Sequence, residues 1–248
     1  PPDGTLSASL REGRASAGGA GAGGGRATGE ASAERNAAGD WRLQTRGDLA
    51  GLDLGPWWPA ARLERSGQSL NASWQADLTR LAGAPAPGGC SVTGQAGTPG
   101  PTGSTWPQLR GSASLVLARS RLANLDWLGD ASLQATAEGL QARADLRAGP
   151  NRFQLDGRLP HAVGRTTAVP TGTLDIQAPA LAALAPLAGL LPDPARAWWP
   201  RDGSISAHAS VKGPWPHLRT EGSLDARSLH SARLSVGRAQ ARWNLATD

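Results

Sequence analysis

The sequence predicts an all-β protein, on the strength of two observations. The first is an alternation of apolar and polar residues with a period of two, which gives a strand one apolar and one polar face. The second is the content of 33 glycines and 19 prolines, which disfavours a helical bundle and suits many turns. The alternation is clearest in three runs, whose apolar positions are Leu140, Ala142, Ala144, Leu146 and Ala148; Ile205, Ala207, Ala209 and Val211; and Ala239, Ala241, Trp243 and Leu245.

Two low-complexity segments interrupt the predicted strands. Residues 1–12 contain a first strand. Residues 13–40 are rich in glycine, alanine, serine and arginine, and we predict a disordered loop there because they bury too little apolar surface to become ordered. The strand pattern resumes in residues 41–82, and residues 83–103 form a second loop rich in proline and glycine. Residues 104–248 carry the remaining strands, predicted around residues 115–117, 131–137, 140–148, 153–159, 174–178, 205–211, 223–226 and 239–245.

One segment departs from the period of two. Leu181, Leu184, Leu187 and Leu190 recur at helical spacing, which predicts a short helix over residues 180–191. Pro186 lies inside this segment and should kink or split the helix. We therefore expect a short broken helix that packs on, or plugs, one end of a sheet.

The charge pattern argues against a nucleic-acid partner. The formal net charge is +5, but the arginines are scattered singly instead of being grouped and interleaved with stacking aromatic residues. The arginines are interpreted as a solvated polar face, with weak attraction to anionic lipid headgroups as the functional alternative. The chain begins with Pro1 and contains no methionine, so we expect it to be a piece of a longer protein.

The sequence contains little that points to catalysis. The four histidines are dispersed, and none pairs with another at metal-ligand spacing. Cys90 is the single cysteine, and the chain has neither a phosphate-binding loop with lysine nor a nucleophile elbow. We therefore predict no catalytic residue, no metal and no cofactor, and the chain is interpreted as a protein other than an enzyme.

Three stretches resemble the TamB family, which belongs to the wider AsmA-like group of bacterial envelope proteins. The first contains Trp41 and Leu43 followed by Gly47-Asp48-Leu49. The second is the leucine-rich and alanine-rich segment 180–189 followed by residues 202–207, and the third is residues 211–218 followed by 221–226. Members of the family repeat a comparable rhythm of glycine, leucine and alanine with a tryptophan and a proline between the strands.

The resemblance implies a fold, a location and a function. It implies a long antiparallel sheet that curls into an open apolar groove, in a periplasmic protein anchored in the bacterial inner membrane by a segment outside this chain. It also implies that phospholipid acyl chains move along the groove, and that the protein supports outer-membrane assembly together with a barrel partner of the TamA type.

The residues facing such a groove can be named as a hypothesis. Small apolar side chains on one face leave room for acyl chains, and each buried CH₂ contributes about 0.8 kcal/mol without any polar site. The predicted lipid-facing residues are Leu140, Ala142, Ala144, Leu146, Ile205, Ala207, Ala209, Val211, Ala239, Ala241, Trp243 and Leu245. Two alternatives stay open: a closed structural β-solenoid or adhesin-like segment, and a β enzyme with clustered aromatic and carboxylate groups.

Overall fold

The protein folds as one long antiparallel β-sheet that is not closed on itself. The structure, a computed structural model, describes residues 5–15, 25–53, 68–81, 109–160, 169–190, 192–214 and 217–246. Within these ranges, twelve strands follow one another in the sheet in the order in which they occur in the chain, and every neighbouring pair is antiparallel. The prediction of an all-β fold built on a long open sheet is therefore confirmed.

The strands are long for a globular protein, where five or six residues are usual. Their bounds are β1 Thr5–Ala15, β2 Gly25–Arg35, β3 Trp41–Leu52, β4 Leu70–Arg80, β5 Leu109–Leu122, β6 Leu125–Ala135, β7 Gly139–Ala148, β8 Asn151–Pro160, β9 Thr171–Ala178, β10 Asp202–Lys212, β11 Arg219–His230 and β12 Ser235–Ala246.

The prediction of a disordered loop over residues 13–40 is wrong for much of that segment. Strand β1 continues to Ala15, and strand β2 occupies Gly25–Arg35 between β1 and β3. The small residues of β2 bury little by themselves, but backbone hydrogen bonds to a strand on each side hold it in the sheet. The second predicted loop, over residues 83–103, lies outside the described residues.

The predicted broken helix is a 3₁₀ helix over Leu181–Leu190, followed by the four-residue helix α1 over Asp193–Arg196. Leu181, Leu184 and Leu187 recur every three residues, the period at which side chains of a 3₁₀ helix stack on one face. The 3₁₀ helix contacts both β6 and β10. These strands lie four positions apart, about 19 Å in a flat sheet, and ten 3₁₀ residues span about 20 Å. The segment therefore crosses one end of the sheet, as predicted.

The buried core lies beneath this crossing segment. It consists of Leu125, Ala148 and Ala178 from the sheet and Leu181 and Leu184 from the 3₁₀ helix. Partly buried residues that pack against this cluster are Trp127, Phe153, Ile176, Ala183, Leu187, Trp199, Ile205 and Leu229. We call the segment Leu181–Leu190 together with α1 the cap.

Asn151 attaches the cap to the sheet. Its side chain is fully buried, and its Nδ2 donates to the carbonyl oxygens of Ala148 (3.2 Å) and Ala180 (3.1 Å). Its Oδ1 accepts a hydrogen bond from the backbone N–H of Ala180 at 3.2 Å. One amide thus satisfies both backbone groups of the residue that precedes the cap.

Replacing Asn151 by alanine should lower the free energy of unfolding by about 1–3 kcal/mol, because the part-buried N–H of Ala180 would lose its partner and the carbonyl of Ala180 would keep only the hydrogen bond from Ala183 N–H. Urea unfolding followed by tryptophan fluorescence measures this loss. The control is Asn244→Ala, which removes an exposed amide that accepts from Arg219 Nε at 3.1 Å and should change stability by less than about 0.5 kcal/mol. Equal stability losses in the two variants would contradict the role given to Asn151.

Candidate functional site

The strand register assembles one apolar surface from the apolar positions of β2–β12, and we call it the apolar face. Directly paired residues form rows that run across the sheet, perpendicular to the strands. One row contains Ala27, Leu49, Ala72, Leu117, Gly129, Leu146, Phe153, Ile176, Ala207, Leu224 and Ala241. The next contains Gly29, Gly47, Trp74, Leu115, Ala131, Ala144, Leu155, Leu174, Ala209, Gly222 and Trp243.

All twelve residues proposed from the sequence lie on this face by register. Leu146, Ala207 and Ala241 share the first row, and Ala144, Ala209 and Trp243 share the second. A third row holds Ala142, Val211 and Leu245, and rows at opposite ends of the strands hold Leu140 on one side and Ile205 with Ala239 on the other. The register therefore places all twelve on one surface of the sheet.

Other residues of the same face were not predicted from the sequence as lipid-facing. Leu43, Leu115, Leu155 and Leu174 lie on it and are exposed. Leu155 and Leu174 are directly paired, so their side chains form a continuous apolar surface. Exposed apolar surface of this kind marks interaction or ligand-binding sites in soluble proteins. The alternation in β5, β8 and β9 is visible in the sequence. The register then places the apolar residues of these strands side by side, and only this pairing makes them one surface.

Tryptophan–glycine pairs shape the apolar face in two places. The indole of Trp74 lies against Gly47 on the neighbouring strand, and the indole of Trp243 lies against Gly222. A Cβ atom at either glycine would collide with the indole. Trp74 Nε1 also donates to Thr45 Oγ1 at 3.1 Å, which satisfies the polar atom of the ring. The glycines thus allow large rings to cover the backbone of the adjacent strand.

The opposite surface, which we call the polar face, carries ion pairs between neighbouring strands. They include Arg46–Glu30 at 2.9 Å, Arg42–Asp77 at 2.6 Å, Arg143–Asp156 at 2.7 Å, Arg152–Asp145 and Arg238–Asp225 at 3.3 Å. His208 Nδ1 lies 2.7 Å from Asp175 Oδ1 across β9 and β10. These groups are largely exposed, so they favour one register more than they add stability.

Hydrogen bonds on the polar face lower the pKa of three carboxyl groups. Arg152 lowers the pKa of Asp145, and Arg42 lowers that of Asp77. Hydrogen bonds from Gln240 and Arg227, with a third from Arg238, lower the pKa of Asp225 to about 2. These shifts stabilise ion pairs and do not create an acid or base suited to catalysis near neutral pH.

The part of the chain that the structure describes gives no evidence for a metal site or a membrane-spanning helix. It contains no cluster of three or more His, Cys, Asp and Glu side chains able to hold a metal. Within the same ranges, no helix has the length and apolar character needed to cross a bilayer. No family model, curated protein or solved structure matches the chain. The apolar face is therefore the candidate functional site on geometry alone.

The stability of the folded protein should depend on pH through Asp225, which lies on the polar face. Its folded-state pKa of about 2 lies below the ordinary value of 3.8, so its contribution to stability is present above pH 4. That contribution is lost as the pH falls through 2, because the protonated carboxyl no longer accepts these hydrogen bonds as an anion. Asp225→Asn should therefore lower the stability at pH 7, and its difference from the wild type should shrink between about pH 4 and pH 2.

Urea unfolding at a series of pH values measures this difference. Asp130→Asn, on the polar face of β6, removes the same charge at another place and controls for the net-charge change. A difference between Asp225→Asn and the wild type that stays constant from pH 7 to pH 2 would contradict the assignment.

Proposed function

We propose that this chain is a segment of a TamB-type bacterial envelope protein that conducts phospholipid acyl chains along the apolar face. In this proposal the full-length protein is anchored in the inner membrane and extends through the periplasm. It supports outer-membrane protein and lipid assembly with a barrel partner of the TamA type. The chain itself is assigned no catalytic residue and no cofactor.

The observation that carries the proposal is the continuity of the apolar face. Its central rows remain apolar across eleven strands, a distance of about 48 Å at the usual strand spacing. In the described residues the cap covers one end of this face, and exposed leucines remain outside it. A surface of this length and chemistry suits a flexible hydrocarbon chain better than a compact ligand.

The chemistry of the apolar face would also allow an acyl chain to move along it. Acyl chains gain free energy from burial of CH₂ groups, at about 0.8 kcal/mol each, and this gain does not depend on orientation. Alanine and glycine recur along the rows, so the surface offers few deep pockets in which a chain would be trapped. Sliding from one strand to the next then replaces one apolar contact with another of similar strength.

The closed solenoid or adhesin-like segment remains the alternative function. In that arrangement the chain's own side chains would fill the interior. The exposure of Leu43, Leu115, Leu155 and Leu174 favours the open arrangement, because a filled interior would bury them.

Photo-crosslinking at two adjacent residues tests the proposal. Leu115 lies on the apolar face and is 44% exposed, whereas Val116 lies on the polar face and is 49% exposed. We expect a photoreactive residue at position 115 to capture phospholipid in cells and one at position 116 to capture none, as identified by mass spectrometry of the adduct. Because exposure is matched, access alone cannot explain such a difference. Capture at neither position, or equal capture at both, would overturn the proposal.

A charge placed in the second row should block passage. Ala144→Asp and Ala209→Asp each put a carboxylate on the apolar face, and desolvating that carboxylate against hydrocarbon is costly. We expect phospholipid transfer between vesicles by the purified protein to fall roughly tenfold or more in each variant.

The matched control is Ser132→Asp, which places the same charge on the polar face beside Arg143. It should keep wild-type transfer. Far-UV circular dichroism shows whether each variant retains the sheet. Wild-type transfer in a folded Ala144→Asp and a folded Ala209→Asp protein would rule out conduction along this row.

A further inference from the structure

The cap covers apolar residues that belong to the same surface as the exposed part of the apolar face. Phe153 and Ile176 are directly paired in the first row, and both pack against the buried cluster under the cap. Leu155 and Leu174, two residues away on the same strands, are directly paired in the second row and are 48% and 40% exposed. The boundary of the cap therefore falls between two neighbouring rows of one continuous apolar surface.

The side chains with which the cap covers this surface are aliphatic. Leu181 and Leu184 are buried, and Leu187 packs against the same cluster. Aliphatic side chains gain free energy from burial as the CH₂ groups of an acyl chain do, without a directional bond. The leucines of the cap thus occupy a surface on which a hydrocarbon chain would gain a comparable free energy.

The backbone of the cap contributes little to its own stability. Leu181–Leu190 is a 3₁₀ helix of 10 residues, whereas runs longer than about four residues are uncommon because the geometry of their hydrogen bonds is poor. Pro186 lies inside this helix and has no N–H to donate. The position of the helix therefore depends on its contacts with the sheet.

The closed position of the cap also carries an unpaired polar group. Trp199 packs against the buried cluster, and its Nε1 is buried without a hydrogen-bond acceptor among the described residues. Its backbone N–H donates to Arg196 O of α1 at 3.1 Å, so Trp199 would move together with the cap. A buried donor without a partner costs free energy, and contact with water removes that cost. Exposure of Trp199 Nε1 would therefore favour an open position.

We propose that the cap is a movable lid and that the surface beneath it is a binding site for one acyl chain of a phospholipid. This inference rests on the proposed function, because it takes the ligand of the apolar face to be a phospholipid. In the closed state the leucines of the cap fill the site. In the open state the acyl chain replaces them against Phe153 and Ile176.

A reversible disulfide tests whether the cap opens. A Cβ atom at Gly149 would lie 4.0 Å from the Cβ atom of Ala183, within the range of roughly 3.5–4.5 Å that a disulfide spans. Gly149→Cys/Ala183→Cys, made in a Cys90→Ser protein, should lock the cap to the β7–β8 turn when oxidised and release it when reduced. Gly149 has a φ of +58°, at which cysteine is strained, so the oxidised protein is compared with the same protein after reduction.

The readout is capture of phospholipid by a leucine-sized diazirine residue on β9. At Ile176 this residue lies under the cap, and at Leu174 it lies on the exposed second row. The purified protein is mixed with vesicles of phosphatidylethanolamine and phosphatidylglycerol in equal parts, and the adducts are identified by mass spectrometry. We expect oxidation to lower capture at position 176 roughly tenfold or more, because it removes the open state that binds. Capture at position 174 should not change.

Leu184→Ala tests the lid in the opposite direction. Loss of a buried leucine weakens the closed state, so capture at position 176 should rise several-fold while capture at position 174 stays constant. The matched control is Leu245→Ala, which removes the same atoms from an exposed position on β12 and should change neither value. Lower capture at position 176 in a folded Leu184→Ala protein would overturn the lid, because a cap that only builds the site would give that result.

The remaining outcomes separate the lid from the proposed function. Equal capture at position 176 in oxidised and reduced protein, with the disulfide confirmed by mass spectrometry, overturns the lid. Capture at position 174 with none at position 176 in either state shows a cap that stays closed, and it also overturns the lid; both results leave the apolar face as a lipid-binding surface. Absence of capture at both positions overturns the lid and the proposed function together. If the double cysteine variant fails to fold, Leu184→Ala decides alone.

Discussion

The structure depends on one constraint: in the residues that are described, the antiparallel strands form a single layer, and no second layer covers its apolar face. Backbone hydrogen bonds between neighbours hold each strand, but the hydrophobic contribution requires that apolar area be removed from water. The protein meets this requirement internally at one end, where Leu181 and Leu184 of the cap are buried against Leu125, Ala148 and Ala178. Elsewhere the described part of the face carries small residues and half-exposed leucines, and in the proposed function a bound acyl chain would bury them.

Such a sheet must also fix its register, since a shift by one residue would exchange the apolar and polar faces. Two devices oppose a shift. Ion pairs such as Arg143–Asp156 join neighbouring strands on the polar face, and the pairs Trp74–Gly47 and Trp243–Gly222 fit large rings against missing side chains on the apolar face. A slip by one residue would set Arg143 opposite Leu155 or Gly157 in place of Asp156, and it would place a side chain where the indole lies. Contacts on both faces therefore favour the same register.

The sequence predicted features that follow from local periodicity, such as strands with one apolar and one polar face. It did not predict features that depend on which strands pair. Alternation identified β7, β10 and β12 and placed their apolar residues on one face, because side-chain direction along a strand follows from the backbone alone. Strand β2 was missed because Ala27, Gly29, Ala31 and Ala33 are too small to stand out from a low-complexity background, and their order comes from neighbours on both sides. The neighbourhood of Trp41 was not predicted either, since Arg35 and Arg80 lie on either side of Trp41 only through the register of three strands.

The two ends of the strands differ in what they place on the apolar face. At one end the cap covers the face with leucine side chains, held in place by the fully buried amide of Asn151. At the opposite strand ends, Trp41 is 38% exposed between Arg35 and Arg80 on the neighbouring strands. The cap contacts β6 and β10, so it lies several strands away from Trp41 as well as at the other end of the strands. In the proposed function, an acyl chain that moves along the rows would therefore pass from strands that carry no cap in the described residues to strands whose one end the cap covers, and its surroundings would change along the path.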